Sequence, residues 1–303
     1  METLAAVIPA TDRPASLARC TAALEAGERP PDQLIVEREP PAVGPARARN
    51  RGAARSGADV LVFVDSDVEV HADALARIER CFAEDPDLTA VFGAYDEDPA
   101  APGLTSRFRN LLHHHVHVSS PGEAETFWAG LGAVRRDAFE ASGGFDEARF
   151  PTASVEDVEL GMRLRRGGAK ILLDPDIRGR HLKAWTPLSM VRTDFWRRGV
   201  PWARLLLRDG GGEAVLNLEA RHRLSAAAAV LLTLALVLRR PRAALAILLA
   251  SVLVNRDFYA LLGRRGGPRL LLAGIGLHQL HHLSAVASVP VAALLHRLER
   301  SGE

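Results

Sequence analysis

The chain has 303 residues, room for one large domain and something smaller, and a formal net charge of +1. That balance excludes the broad basic face of a nucleic-acid binder, so no nucleic-acid partner is expected. The two cysteines, Cys20 and Cys81, have no metal-ligand spacing and fit a reduced, cytosol-facing compartment. Residues 1–14 are too short in their apolar run, and lack the basic start, for a secretory signal. Residues 4–8 are a short apolar run ended by Pro9, a first strand. Residues 14–24 carry Leu17, Cys20 and Leu24 at helical spacing, with Asp12 placed to cap them. Residues 34–36 form a second strand, and a basic helix over 46–55 ends at Gly57. The apolar run 60–64 reads as a buried parallel strand and 71–82 as an amphipathic helix. Beyond a strand at 89–94 the pattern loosens into a polar, irregular stretch through His117. Alternation of strand and helix at this interval predicts an α/β fold with a doubly wound, mostly parallel sheet.

From residue 224 the composition turns apolar. Hydrophobic segments at about 224–238, 243–262 and 269–296 follow a linker at 209–223. The last is long enough to span a bilayer, which takes roughly 20 apolar residues. The first two are shorter, with RRPR between them, and read as a thin spanning hairpin or an interfacial pair. A buried helical bundle is the soluble alternative. Arg239, Arg240 and Arg242 would lie outside if all three segments cross and the amino-terminal domain is cytoplasmic, against the positive-inside tendency.

The chemistry concentrates at the end of the third strand, where Asp65 and Asp67 stand one residue apart in VLVFVDSDV. Carboxylates there sit in the crevice where open α/β sheets bind ligands. Hard oxygen donors suit Mg2+ or Mn2+ held against a diphosphate. An Asp-rich turn that merely ends the strand is the bland reading.

Four ordered segments, VIPATDRPASL, ARARNRGAARSGADVLVFVDSDV, WAGLGAVRRDAFEASGGFDE and SVEDVELGMRLRRGGAKI, make residues 6–202 resemble the family 2 glycosyltransferases, whose catalytic domain has the GT-A fold. The resemblance implies metal-dependent, inverting transfer of a sugar from a nucleoside-diphosphate donor to a hydroxyl. It implies that Asp67, with Asp65 and a later histidine, His181, holds the cation. Pro9, Ala10, Thr11 and Asp12 would cradle base and ribose, with helix capping as the other reading of Thr11 and Asp12. Glu37 stands where the family has an aspartate on the base, and Arg49 would face the pyrophosphate. Gly130 and Gly132 would let backbone approach the donor sugar, with Trp128 near the acceptor.

The same resemblance makes Asp157 of the Glu156–Asp157 pair the general base. Physically, a carboxylate there can instead cap the helix with Ser154, and a capping carboxylate has a lowered pKa. Arg197, Arg198 and Trp202 loosely match a diphosphate-gripping signature and equally suit an interfacial helix. The HHHVH run, 113–117, reads as solvated loop or acceptor edge. The chain is thus expected to be an inner-membrane enzyme with residues 1–208 as a cytoplasm-facing transferase domain, 224–303 as anchor, and a lipid-linked or membrane-proximal acceptor. A sugar nucleotidyltransferase and an inactive membrane scaffold are the competing classes.

Overall fold

Strand β-character here comes from burial on both faces. In the computed structural model, which describes residues 2–12, 14–208 and 220–300, Val60–Val64 is buried at every position. The elements that build the sheet and its flanking helices are β1 (Leu4–Pro9), α1 (Leu17–Glu25), β2 (Gln33–Glu37), α2 (Pro45–Ala53), β3 (Val60–Val64), β4 (Val68–Val70), α3 (Ala74–Glu84) and β5 (Leu88–Tyr95). They continue with α4 (Leu104–Val118), β6 (Gly122–Glu123), β7 (Leu131–Arg135), α5 (Arg136–Ala141), α6 (Glu156–Arg166) and β8 (Lys170–His181). The eight strands form one sheet in the order β2-β1-β3-β7-β5-β8-β4, with β6 on β8. The α/β reading therefore holds. Pairing is parallel at β1–β2, β1–β3 and β5–β8, whereas β7 runs antiparallel between β3 and β5 and both β4 and β6 run antiparallel to β8, so the sheet is mixed rather than mostly parallel.

Period-two alternation sorts the core into two faces. Val60, Val62 and Val64 join Leu4, Ala6 and Ile8 in the cluster under α1 and α3, with Cys20, Leu24, Leu75, Ile78 and Phe82. Phe63 points the other way, its ring centroid 5.4 Å from Phe139 and 5.1 Å from Phe145. Helix α2 lies on that second face, because a Cβ at Gly52 would stand 2.4 Å from Cγ1 of Val7. Full burial of a Val, Leu, Ile or Phe side chain stabilises by roughly 1.5–3 kcal/mol, so this pattern, not the short helices, fixes the architecture.

Several sequence expectations change. Residues 104–118 are helix α4, not an irregular stretch, because its histidines pack as rings and mask the apolar period. Asp12 caps nothing: α1 begins after Ser16, without a side-chain cap bond, and Asp12 is exposed. The strand that carries His181 is the twelve-residue β8, with the histidine at its end. Of the expected linker 209–223, residues 209–219 lie outside the described residues and 220–223 open a helix.

The chain divides into two compact units, residues 1–100 with 113–183, and residues 101–112 with 184–303. The second unit holds α7 (Pro187–Arg192), a π-helical stretch Thr193–Gly199, α8 (Val200–Arg208), α9 (Ala220–Val237), α10 (Pro241–Val254) and α11 (Arg256–Arg300). α11 bends at Gly267, where φ is 64°. Ala220–Val237 and Arg256–Arg300 are long and apolar enough to cross a membrane, and Pro241–Val254 is shorter. Inside this unit Asp194 is buried between Arg109 (2.8 Å) and Nδ1 of His281 (2.8 Å). Burial alone would raise its pKa. The Arg109 charge and the His281 hydrogen bond outweigh that and hold it well below the usual carboxylate range.

Helix α6 sits against backbone at Gly161, where an added Cβ would lie 2.2 Å from the amide nitrogen of Phe127 and 2.5 Å from the carbonyl carbon of Thr126. Gly161→Ala is therefore expected to destabilise the catalytic unit by about 1–3 kcal/mol, the usual range for overpacking. Gly57→Ala, with nothing within 4 Å, should leave stability unchanged. Thermal melting of both full-length variants in detergent checks the pair.

Candidate active site

Three parallel strands end on one edge of the sheet. Pro9 pairs in register with Glu37, and β1 and β3 run side by side from Leu4↔Val60 to Val7↔Phe63. Asp65 follows directly, its amide donating to the Gly130 carbonyl at 3.0 Å. β4 then brings Val68 opposite His181, and the Leu182 amide donates to the Asp67 carbonyl at 2.8 Å. The strand register thus assembles Pro9, Glu37, Asp65, Asp67, Gly130 and His181 along that edge.

Arg49 ties this edge to α6. Its side chain is 4% exposed, with Nη2 donating to Asp65 Oδ1 at 2.7 Å and Nη1 donating to Glu156 Oε1 at 2.9 Å. The guanidinium also lies over the Phe145 ring, 5.4 Å from its centroid. Burial alone disfavours its charge, but the charges of Asp65, Glu156 and Asp157 more than offset it, and its pKa rises. Arg49 therefore holds two carboxylates in place with both terminal nitrogens, rather than standing free to face a pyrophosphate. Its Nε is buried without a hydrogen-bond partner.

The acids divide by environment. Burial pushes the Asp65 carboxyl above its ordinary value despite Arg49. Burial also acts on Asp67, but the His181 hydrogen bond and the charges of His181 and Lys183 outweigh it and hold Asp67 low. Asp157 is pushed up to about 6 by burial and by Glu156, against the pull of Arg49. No capping box forms at α6: its N-cap is Val155, with no side-chain cap bond. Asp157 instead accepts from the Ala129 amide at 3.2 Å and from its neighbour Val158 at 2.9 Å. Both oxygens of Glu156 are engaged, one by Arg49 and one by the Ser154 amide at 2.8 Å. Of the pair, Glu156 is the anchored member and Asp157 the one with proton affinity near neutrality.

His181 Nε2 lies 3.7 Å from Asp67 Oδ2. Two donors at that spacing can each reach one cation at about 2.1 Å, and an imidazole with a carboxylate suits Mn2+ better than Mg2+. Among the described residues no three histidine, cysteine or acidic side chains already converge as a ligand set. Further ligands would have to come from diphosphate oxygens and water, the usual arrangement when a cation serves a nucleotide.

The remaining expected residues fall as follows. Ala10 and Thr11 are buried, Ala10 donating to the Glu37 carbonyl at 2.9 Å and Thr11 Oγ1 to the Val43 carbonyl at 2.7 Å. Glu37 is buried too, its carboxylate 3.3 Å from Arg55 and 3.8 Å from Arg51. Gly130 and Gly132 have a packing reason that the sequence did not suggest. The Trp128 indole fills the space of a Gly130 Cβ at 2.4 Å, and at Gly132 the Trp128 carbonyl stands at 2.4 Å. Arg197 and Arg198 are exposed on the π-helical stretch and Trp202 is in α8, all in the second unit.

Sequence reasoning missed Tyr95, whose ring stacks on His181 at 4.3 Å and 13° and meets Trp128 edge-on at 4.9 Å. It also misread 113–117. His114 and His117 are buried, contacting the carbonyls of Tyr95 (2.7 Å) and Gly93 (2.9 Å), and His114 has an acidic neighbour in Glu97 at 3.6 Å. His113 packs on Tyr95 and Trp128. Cys20 is core: burial, then the charges of Asp65 and Asp67, push its thiol up to about 12, far from a reactive thiolate. A cavity of about 930 Å³ lined by Glu2, Asp59, Arg80 and Arg135 opens at the other end of β3, so it is remote from these acids.

Residues 10–143 match the model of glycosyl transferase family 2. Among solved structures, the chain is similar to the mannosyltransferase PcManGT from Pyrobaculum calidifontis in complex with GDP-Man and Mn2+. That likeness has 16% identity and a TM-score of 0.56, over 95% of this chain and 87% of that one, and establishes the fold. A second likeness is to GalNAc-T7 with UDP, GalNAc and Mn2+, at 15% identity and a TM-score of 0.48, over 71% of this chain and 52% of that one.

Removing the Arg49 charge leaves Asp65 and Glu156 uncompensated, which typically costs 3 kcal/mol or more. Arg49→Met is expected to lower stability by about 3 kcal/mol at pH 7. Melting curves of the variant and the parent at that pH measure it.

Proposed function

We propose that the chain is a glycosyltransferase that performs metal-dependent, inverting transfer of a sugar from a nucleoside-diphosphate donor to a hydroxyl on a lipid-linked or membrane-proximal acceptor. The single observation that carries this reading is the Arg49 bridge, which links the Asp65–Asp67 turn to the start of α6 through two charged hydrogen bonds. Donor-side acids and the base candidate thereby belong to one charge network. The Pyrobaculum mannosyltransferase, solved with GDP-Man and Mn2+, supports both the donor class and the cation.

In this reading Asp67 and His181 hold the divalent cation, which neutralises charge on the departing diphosphate. Asp65, fixed by Arg49, lines the same edge beside Pro9, Ala10, Thr11 and Glu37, where base and ribose would bind. Asp157 accepts the proton of the acceptor hydroxyl as its oxygen attacks the sugar carbon opposite the leaving group, inverting it. An apparent pKa near 6 suits that role, because the base is ionised at neutral pH yet retains proton affinity. Trp128, framed by Tyr95 and His113, is a flat apolar surface for a sugar ring or acceptor.

The membrane association rests on the apolar helices of the second unit, with residues 1–208 as transferase domain facing the cytoplasm and 224–303 as inner-membrane anchor. An anchored enzyme and an anchored acceptor meet at raised effective concentration.

Full-length protein in detergent, given a panel of nucleoside-diphosphate sugars with Mn2+, should release nucleoside diphosphate with at least one donor. Asp67→Ala and Asp157→Asn should each lower turnover by a factor of 100 or more. A pyrophosphate product from a nucleoside triphosphate would replace this function with nucleotidyl transfer.

The pH dependence has a definite sign. Asp157 must be ionised, so kcat/KM should fall tenfold per pH unit below about 6. A carboxyl raised in the folded state contributes stability that is fully present below its unfolded pKa, about 3.9, and lost as pH rises through about 6. Asp157→Asn should therefore melt higher than the parent at pH 8, by on the order of 1 kcal/mol, and the gap should close below about pH 4.

A further inference from the structure

Helices α9 and α10 pack side by side with an unusual distribution of side chains. The buried positions of these two helices are small: Ser225, Ala229 (1% exposed), Ala235, Ala244 and Ser251. The large apolar residues point outward: Leu231, Leu234, Leu236 (62%), Val237, Leu249 and Leu253 (67%). Water would select the reverse, with leucine inside and alanine outside. Small residues at the seam with leucines facing out are the pattern of helices packed within lipid.

Both ends of this hairpin are polar. At its base the Asn255 side chain donates to Ser225 Oγ at 2.8 Å, clasping α9 to the end of α10, and Arg221, Arg223 and Arg256 stand nearby in sequence. At the tip α9 closes in a Schellman turn, with the Arg240 amide donating to the Ala235 carbonyl at 2.8 Å and the Arg239 amide to the Leu236 carbonyl at 3.1 Å. Arg239 occupies the left-handed position, φ 51°, where glycine is the low-strain choice. Arg239, Arg240 and Arg242 are all exposed. A strained turn that nevertheless carries arginine, with two more beside it, marks charge as the property required there.

Length then selects among membrane placements. From Arg221 to Arg239 is 18 residues, about 27 Å at 1.5 Å each, and from Arg242 to Arg256 is 14 residues, about 21 Å. The hydrocarbon core of a bilayer is about 30 Å, and arginine side chains reach several Å further to the phosphates. A hairpin that stopped halfway would leave three arginines in hydrocarbon, the costliest position for them.

We propose that the α9–α10 hairpin crosses the whole bilayer and sets Arg239, Arg240 and Arg242 among the lipid phosphates of the leaflet opposite its base. The occupant of the exposed leucine faces is the acyl chain region of a phospholipid bilayer. This inference rests on the membrane reading above and adds the depth and the tip contact.

The test uses the full-length chain expressed in cells, carrying Ala220→Cys at the base or Ala243→Cys at the tip, both at exposed positions. Sealed membrane vesicles of the two opposite orientations are treated with a membrane-impermeant maleimide, and the unsubstituted chain supplies the background from Cys20 and Cys81. The two thiols should label in opposite vesicle types, each with at least a tenfold preference. Labelling of both in the same vesicles, or no labelling of the tip in either, overturns the crossing. Alkaline carbonate extraction separates this from the broader reading: a chain released by carbonate was never embedded, whereas one retained with both thiols on one face is embedded without crossing.

Discussion

A single guanidinium ties together the acids gathered at the end of the sheet. Arg49 is buried, and so is Glu156, and neither could remain charged there alone. Between Asp65 and Glu156 the Arg49 cation neutralises carboxylates from two segments that would otherwise repel. It thereby fixes α2, the turn after β3 and the first turn of α6 relative to one another. What results is an unequal set of acids: Asp67 held low beside His181, Asp157 raised to about 6. Environments that push like groups apart are how one pocket can supply both a standing negative charge and a proton acceptor.

The parts of this arrangement that could be read from sequence are those written in local apolar pattern. Residues 60–64 were legible to the residue because a strand buried on both faces is an unbroken apolar run. β1 was legible for the same reason, and β2, buried less completely, by its run Leu34, Ile35 and Val36, both within one or two positions. Helix α4 was not, since its five-residue run 113–117 holds four histidines. Hydropathy scores histidine as polar, whereas His113 and His117 here present ring faces to Tyr95, Phe92 and Trp128. The Arg49–Glu156 bridge spans 107 positions, and nothing in one chain's pattern announces a partner that distant. Likewise Ser154 and Asp157 had the spacing of a capping box, but the Ala129 amide competes for the aspartate. Only the folded neighbourhood decides between the two.

The second unit obeys a different solvent logic. Its apolar segments were visible as composition, but their orientation was not, since a uniform run of alanine and leucine does not say which residue turns inward. The packing answers with small residues at the seam. Polar contacts then recur in pairs, Asn255 with Ser225, Tyr259 with His278 at 3.0 Å, Asp194 with Arg109 and His281. Buried polar groups among apolar helices are tolerated when each finds a partner, and such contacts fix register where leucine packing alone would allow sliding.

Trp128 and Gly130 carry an implication for how related sequences can differ. The indole lies where any side chain at 130 would begin, and the carbonyl of that same glycine receives the Asp65 amide. Position 130 is not free to vary by itself. A lineage that acquires alanine or serine at 130 must first shrink the ring at 128, so substitution at 130 should follow substitution at 128, and the packing of Tyr95 and His113 around that ring should be rebuilt each time it does.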